Sequence, residues 1–288
     1  MARESHRDSE DDAPAARGCA PPLFVEGWSI AAFDPPWIIA HRGASAYAPE
    51  NTLAAVRLAW EMDADAVEVD VHCTADGRAA VIHDPDARRT TGTRLPVAAA
   101  TLAQLQALDA GGGERVPSLG EVLATVPPGK RLVVELKAGP ELLAPLAADL
   151  ATAFAAGLQP AQIVVIAFDR ELALLAKARL PAVAVLWLYD PRRRGVRPRP
   201  TAAVRRAALR VRELGLDGLD LFAHRCLRAR LVEEIHALGL RLFVWTVNRP
   251  RICERLLHAG VDGITTNHPD TMRRLRERLR ADSPPQKE

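Results

Sequence analysis

Long apolar runs are missing from this chain of 288 residues. No uncharged stretch approaches the ~20 residues that cross a bilayer as a helix. The nearest, 141–158, is rich in alanine but carries Glu141, Pro145 and Asp149, and reads as an amphipathic helix. No transmembrane segment is therefore expected. The opening residues also lack the basic start and apolar stretch of a secretory signal; 1–18 are polar and hold the acidic run Asp8-Ser9-Glu10-Asp11-Asp12. Cysteine is scarce. The four cysteines, at 19, 73, 226 and 253, form no C-x-x-C pair, which argues against a disulfide scaffold and for reduced thiols in a cytoplasmic enzyme. Charge of one sign is lacking too: the net charge is +2, so no global field points to nucleic acid.

What the chain does have is apolar content. Hydrophobic residues make up 48%, enough to bury one large core, and charged residues an ordinary 26%. Residues 1–35, rich in proline, alanine and charge, are expected as a loose tail. Residues 36–280 are expected as one domain, with 281–288 as a second tail.

From residue 37 onward short β-branched runs alternate with helical patterns. The runs are 38–40, 66–71, 132–136, 163–166, 183–188, 218–221, 242–245 and 262–265; helices are expected at 53–62, 171–179 and 226–238. Strands alternating with helices imply parallel pairing through right-handed crossovers. Eight such strands suggest a closed (β/α)8 barrel, with an open doubly wound sheet as the alternative. The run Ala79-Ala80-Val81-Ile82 breaks the rhythm, because only Thr74-Ala75-Asp76-Gly77 separates it from the 66–71 run. Parallel neighbours need a longer crossover and Asp-Gly signals a hairpin, so 79–82 is expected as an antiparallel arm over the strand ends.

Barrel chemistry sits at the C-terminal ends of the strands. There the first strand ends in His41-Arg42-Gly43, an imidazole beside a guanidinium able to fork onto phosphate, or simply a glycine turn. Glu68 and Asp70, two residues apart, share one face of the second strand, while Val67, Val69 and Val71 take the other. Glu135 and Lys137 repeat that parity on the next strand, where the bland reading is a surface ion pair. Adjacent carboxylates in one mouth repel unless a cation neutralises them or one holds a proton. An all-oxygen set of Glu68, Asp70 and Glu135 suits one hard divalent cation, Mg²⁺ or Ca²⁺, with Mn²⁺ as a further candidate. His83-Asp84 ends the arm and offers a second imidazole; histidine can take or give a proton near neutrality. His72 is read as structural. Three carboxylates, one divalent cation, one phosphodiester, Arg42 and Lys137 sum to zero charge, which suits phosphoryl chemistry.

With these residues assembled, the chain resembles the glycerophosphodiester phosphodiesterases. The resemblance rests on His41-Arg42-Gly43, Pro49-Glu50-Asn51-Thr52, Glu68-Val69-Asp70-Val71, Thr74-Ala75-Asp76-Gly77 and His83-Asp84. Thr90-Thr91-Gly92, Pro117-Ser118-Leu119 with Glu121, Glu135-Leu136-Lys137, Phe168-Asp169 and Trp245-Thr246-Val247-Asn248 extend it over roughly 37–275. It implies a TIM-type barrel in which Glu68, Asp70 and Glu135 hold the cation and His41 and His83 form an acid/base pair. It further implies that Arg42 contacts phosphate, Lys137 lies in the site, Glu50 supports the first histidine and Trp245 lines the mouth. By residues alone, Glu50 is only a carboxylate suited to a helix start, and Trp245 is core. Two places depart from the family: Thr266-Asn267-His268-Pro269 stands where Thr-Asp-x-Pro is usual, so Asn267 supplies no charge, and Ile166-Ala167 precedes Phe168 where small polar residues are frequent.

The implied reaction is hydrolysis of a small glycerophosphodiester to sn-glycerol 3-phosphate and an alcohol, with either water or the glycerol 2-hydroxyl as nucleophile and the acid and base undivided between His41 and His83. One rival is a lysophospholipase D-like activity on lysolipids. There the arginines at 192, 193, 194, 197, 199, 205, 206, 210 and 212 could draw an anionic surface, although a solvated basic helix is the plainer reading. A second rival is an inactive barrel used as a binding module. Nucleic acid is excluded by the absence of aromatics within the basic run. Gly111-Gly112-Gly113 lacks the Lys-Ser/Thr of a phosphate loop and reads as a flexible connection. The sequence leaves the oligomeric state open.

Overall fold

The structure, a computed structural model, describes residues 35–192 and 200–282. Nine strands form: β1 Trp37–His41, β2 Ala66–Cys73, β3 Ala79–Val81, β4 Arg131–Leu136, β5 Ile163–Ala167, β6 Ala184–Tyr189, β7 Gly218–Phe222, β8 Arg241–Trp245 and β9 Gly263–Thr266. All but β3 pair in parallel in the ring β1-β2-β4-β5-β6-β7-β8-β9, and β9 closes on β1. With helices in the crossovers, this is the closed eight-stranded barrel expected from the strand rhythm.

Strand β3 folds back antiparallel on β2, pairing Val71 with Val81 and Cys73 with Ala79. Thr74 closes the turn: its Oγ1 donates to Asp76 Oδ1 at 2.6 Å and accepts from the Arg78 N–H at 3.0 Å. Beyond the arm, residues 83–117 pack a small core of their own around Ile82, Val97, Leu105 and Val116.

Side-chain alternation divides the barrel core into two shells. Val67, Val69, Val71, Leu132 and Val134 face outward onto the helices. Trp37, Ile39, Val133, Ile166, Leu186 and Phe243 fill the interior. Gly263 also faces inward; a Cβ there would lie 2.7 Å from Phe243 Cδ1 and 2.9 Å from Ile39 Cδ1, so only glycine leaves room for the phenyl ring. The Arg131 guanidinium closes the lower end, 4.2 Å from the centroid of Trp37.

Register is fixed at this lower end by a repeated device. Asp65, Asp217 and Asp262 each immediately precede a strand, and each accepts from a backbone N–H of the neighbouring strand: Ile38 at 2.7 Å, Val185 at 2.7 Å and Leu242 at 2.8 Å. Each is also paired with a basic side chain, namely Arg276, Lys177, and Arg241 with His236. Since successive side chains alternate faces, holding register here decides which residues reach the cavity above.

Two expectations are corrected. The helix expected at 226–238 spans only Ala229–His236; Arg228 is extended, and the His224 ring accepts from the Cys226 N–H at 3.1 Å to hold a turn. The Gly111–Gly113 connection is a defined turn, because Asp109 Oδ1 accepts from the N–H groups of both Gly111 and Gly113. Residues 1–34, 193–199 and 283–288 lie outside the described residues, and with them Cys19, both expected tails in large part, and Arg193, Arg194, Arg197 and Arg199. The described Cys73, Cys226 and Cys253 are free thiols. No helix among the described residues is long and apolar enough to cross a membrane.

The buried Asp262 latch can be tested directly. Replacing Asp262 with Ala removes its ion pair with the buried Arg241 and frees the Leu242 N–H, at an expected cost of about 3 kcal/mol. A urea midpoint shift at unchanged m-value would report it; a loss below 1 kcal/mol, on the order of an exposed pair, would show that the latch does not carry the register.

Candidate active site

The site begins with a sharp turn after β1. Arg42 and Gly43 both take positive φ, 57° and 78°. A Cβ on Gly43 would lie 2.5 Å from the Ala55 carbonyl carbon, so the close approach of the first helix demands glycine. The turn aims the Arg42 N–H at Glu68 Oε2, 2.9 Å away, and swings its guanidinium over the strand ends. Arg42 Nε lies 3.0 Å from Asp70 Oδ2, and Nη1 donates to Glu50 Oε1 at 2.8 Å.

Register then gathers the acids. His41 aligns with Glu68 across β1–β2, and Asp70 with Glu135 across β2–β4. Glu68, Asp70 and Glu135 are all buried, and ligand oxygens from the three lie within 4.8 Å of one another. Asn51, itself left-handed at φ 58°, brackets Asp70: its Nδ2 donates to Oδ2 at 2.9 Å and its Oδ1 accepts from the Asp70 N–H at 3.2 Å. Lys137 Nζ stands 2.6 Å from Glu135 Oε1 and 3.1 Å from Asp70 Oδ1. Even so, Glu68 Oε1, Asp70 Oδ1 and Glu135 Oε1 are buried without a well-aligned hydrogen bond, the lysine contacts being of ion-pair range but poor angle.

The electrostatics follow from this crowding. Burial pushes Glu68 well above the carboxylate range, and the charges of Asp70 and Glu135 add to it. Glu135 is pushed up to about 7 by burial and by Asp70, against the pull of Lys137. Asp70 is buried as deeply, but Lys137 and Arg42 outweigh burial and hold it at about 2. One carboxylate thus keeps its charge through two basic neighbours, while burial and mutual repulsion push the other two upward. The oxygen-only donor set with unpartnered buried oxygens fits a hard divalent ion.

Two imidazoles open into the same cavity. His41 Nδ1 meets Asn267 Oδ1 at 2.7 Å. With the amide oxygen facing it, Nδ1 carries the proton and Nε2 presents its lone pair. Burial, with Arg42 alongside, lowers His41 to about 4, so the ring is neutral at pH 7. His83 Nδ1 meets Asp84 Oδ1 at 2.6 Å. His72 is structural, as read: its Nε2 contacts the His83 carbonyl oxygen at 3.0 Å.

Glu50 requires a correction. It does not contact His41, whose Nδ1 is taken by Asn267. It holds Arg42 and, through both carboxylate oxygens, Arg89 at 2.7 and 2.8 Å. Arg89 Nε in turn meets Asp84 Oδ2 at 2.5 Å. A continuous chain therefore runs Arg42–Glu50–Arg89–Asp84–His83, tying the Arg42 guanidinium to the imidazole on the arm. Hydrogen bonds from Arg89 and His83 overcome the upward push of burial and hold Asp84 below its usual range.

Trp245 lines the cavity opposite the acids. Phe168 and Phe222 meet it edge-on at centroid distances of 5.5 and 5.7 Å, and its Nε1 donates to the Asp220 carbonyl. The cavity, about 160 Å³, is lined by His41, Arg42, Glu68, His83, Glu135, Lys137, Ile166, Phe168, Leu188, Asp220, Trp245, Thr246 and Thr265. A larger groove of about 700 Å³ lies on the outer helical layer near Leu123, Asp149 and Leu158, without a cluster of titratable groups.

Asn51, Arg89, Asp220 and Asn267 escaped the sequence reading as site residues. Asp220 left a trace, an acid between Leu219 and Leu221 within a strand. Arg89 left none, since its partners come from two other segments.

A sequence model of the glycerophosphoryl diester phosphodiesterase family matches residues 41–271. The chain is 33% identical over 243 residues to a glycerophosphodiester phosphodiesterase of Caldanaerobacter subterraneus, covering 82% of this chain and 95% of that protein. It is 30% identical over 259 residues to one from Bacillus subtilis, covering 83% and 86%. Among solved structures it is similar to an Oleispira antarctica phosphodiesterase in complex with the product sn-glycerol-3-phosphate, at TM-score 0.73 and 26% identity over 85% of this chain and 98% of that one.

Two measurements follow from the geometry. Arg89→Ala should lower kcat on a glycerophosphodiester about tenfold while hardly moving the melting temperature, since exposed pairs contribute ~0–1 kcal/mol; unchanged kcat would remove Arg89 from the site. In an NMR titration, His41 should stay neutral down to about pH 4. Asn267→Asp should raise that midpoint, because a carboxylate at Nδ1 favours the imidazolium, and a midpoint that stays put would show that this contact does not set it.

Proposed function

The chain belongs to the glycerophosphoryl diester phosphodiesterase family, and from that premise we propose that it hydrolyses small glycerophosphodiesters with one divalent cation and a pair of histidines. The observation that carries the reading is the convergence of three buried carboxylates with unpartnered oxygens beside two imidazoles in one cavity. Glu68, Asp70 and Glu135 would hold the cation, which supplies Lewis-acid polarisation of the phosphoryl group when bound.

The protein's own groups divide the remaining work. Arg42 is held at its back by Glu50 and Asp70, leaving its outer face for a phosphate oxygen. Lys137 adds a second positive charge on the same side. His41, neutral and with its Nε2 lone pair free, takes the proton from the nucleophile, either water or the glycerol 2-hydroxyl. His83, backed by the ionised Asp84, gives a proton to the departing alkoxide. Trp245 and Phe168 form an apolar wall that keeps water from the far side of the site. The products are sn-glycerol 3-phosphate and an alcohol, formed directly when water attacks, or through a cyclic phosphate that water then opens when the 2-hydroxyl attacks; the product named in the Oleispira antarctica complex supports that choice.

The small cavity favours a compact diester over a lysolipid. Four of the five described arginines of the basic segment also have local partners: Arg192 pairs with Asp190, Arg205 with Glu234, Arg210 with Glu213, and Arg212 with the Leu238 carbonyl. This supports the solvated-helix reading over an anionic-surface contact. A cytoplasmic setting, drawn from cysteine usage, is part of the same proposal.

The decisive test pairs activity with calorimetry. Glycerophosphocholine turnover should require Mg²⁺ or Ca²⁺, stop with EDTA, and fall about 100-fold or more in Glu68→Gln. Because burial and mutual repulsion push both Glu135, to about 7, and Glu68 up, cation binding at pH 7 should release protons. Titrations in buffers of different ionisation enthalpy would measure that release. Turnover that survives EDTA would overturn the cation assignment, and absence of any binding heat together with absence of turnover would turn the reading toward a binding module.

A further inference from the structure

One carboxyl on the cavity wall has no part in the reaction scheme above. Asp220 occupies the middle of β7 between Leu219 and Leu221, which pack outward on the helices, so alternation turns it into the barrel. It is 1% exposed and lines the cavity. Its main-chain carbonyl is engaged by Trp245 Nε1 at 3.2 Å, but its side-chain Oδ1 is buried and no donor reaches it. Its partners in register are Leu188 on β6 and Phe243 on β8, neither able to hydrogen-bond through its side chain. The other deeply buried aspartates differ: Asp70, Asp190 and Asp262 each face an arginine.

An unpartnered buried carboxyl costs stability, and a leucine of similar size would suit the gap between Leu188 and Phe243 better. The position therefore carries a penalty that packing does not explain. What it faces supplies a reason. Around the ring, three strands separate β7 from β2 in either direction, so Asp220 stands directly across the barrel from Glu68 and Asp70. Arg42 and Lys137 fix the phosphate end of a substrate on the far wall. A molecule that reaches both walls needs an anionic group at one end and, at the other, a group that hydrogen-bonds to a carboxyl. Phosphate oxygens only accept and would be opposed by an acid. A hydroxyl both donates and accepts, and matches a carboxyl in either protonation state.

We propose that Asp220 recognises a hydroxyl of the glycerol half of the substrate, and so selects polyol phosphodiesters over diesters that lack hydroxyls. This rests on the hydrolase reading, and burial with the neighbouring Glu135 charge, which pushes Asp220 well up, agrees with a carboxyl that meets a neutral partner.

The test compares wild type, Asp220→Asn and Asp220→Leu in the full chain with Mg²⁺. Calorimetry measures binding of sn-glycerol 3-phosphate, ethyl phosphate and phosphocholine. Wild type should favour sn-glycerol 3-phosphate over ethyl phosphate, and Asp220→Leu should reduce that ratio about tenfold, with Asp220→Asn between the two. The kcat/KM ratio of glycerophosphocholine to bis(4-nitrophenyl) phosphate should fall in parallel. The melting temperature of Asp220→Leu should rise, where a merely structural acid would make it drop. An unchanged binding ratio, an equal loss on ethyl phosphate, or a loss confined to phosphocholine would overturn the proposal. Wild type inactive on both diesters would instead sink the hydrolase reading, and the binding ratio would still decide the role of Asp220.

Discussion

Crowded negative charge is the constraint around which the barrel mouth is organised. Glu68, Asp70 and Glu135 bring oxygens within 4.8 Å of one another in a buried site, where like charges cannot all be ionised without compensation. The protein compensates only in part. Arg42 and Lys137 converge on Asp70, which they hold at about 2 while Glu68 and Glu135 are pushed up. A second basic residue for Glu68 would have made the cluster self-sufficient and left nothing for a cation to do. Three acids against two basic side chains leave one negative charge over, which a divalent cation together with an anionic phosphodiester would bring to zero.

Keeping three acids at that spacing demands a frame that does not relax. Part of it is local, in the paired positive φ values of Arg42 and Gly43 and in Asn51, which clasps Asp70 by both its N–H and its carboxylate. Part of it lies at the opposite end of the barrel. Asp65, Asp217 and Asp262 pin the starts of β2, β7 and β9 to their neighbours, far from any chemistry. A slip of one residue in β2 would turn Glu68 and Asp70 outward and bring Val67 and Val69 into the cavity. The acids that fix register and the acids clustered in the mouth are therefore two halves of one arrangement.

The sequence disclosed whatever depended on local pattern. Eight β-branched runs at the right spacing implied the barrel, and the Asp76-Gly77 turn implied the arm that carries His83. Parity alone placed Glu68 and Asp70 on one face. What could not be read was partnership across distant segments. Glu50 was assigned to the first histidine, yet the turn at Arg42 brings the guanidinium to it, while Asn267, 226 positions from His41, takes the ring. Arg89 joins Glu50 to Asp84 over spacings of 39 and 5 residues, for which no one-dimensional pattern exists. The shortened helix at Ala229–His236 failed for a local reason of a different kind, since the His224 ring and the Cys226 N–H close a separate turn and Arg228 is extended before the helix starts.

The two histidines show how one fold makes chemically unequal copies of the same side chain. His41 sits on a strand end, deep, beside Arg42, and burial and that guanidinium disfavour a second proton more than the Asn267 amide and the nearby acids favour it. His83 sits on the arm, nearly a third exposed, and its partner is a carboxylate kept ionised by Arg89. An aspartate at 267 would erase much of that inequality by placing a charge against each ring. The uncharged Asn267 is then no defect in a signature. It leaves one imidazole against an amide and the other against a carboxylate, and the proposed division into proton acceptor and proton donor rests on that inequality.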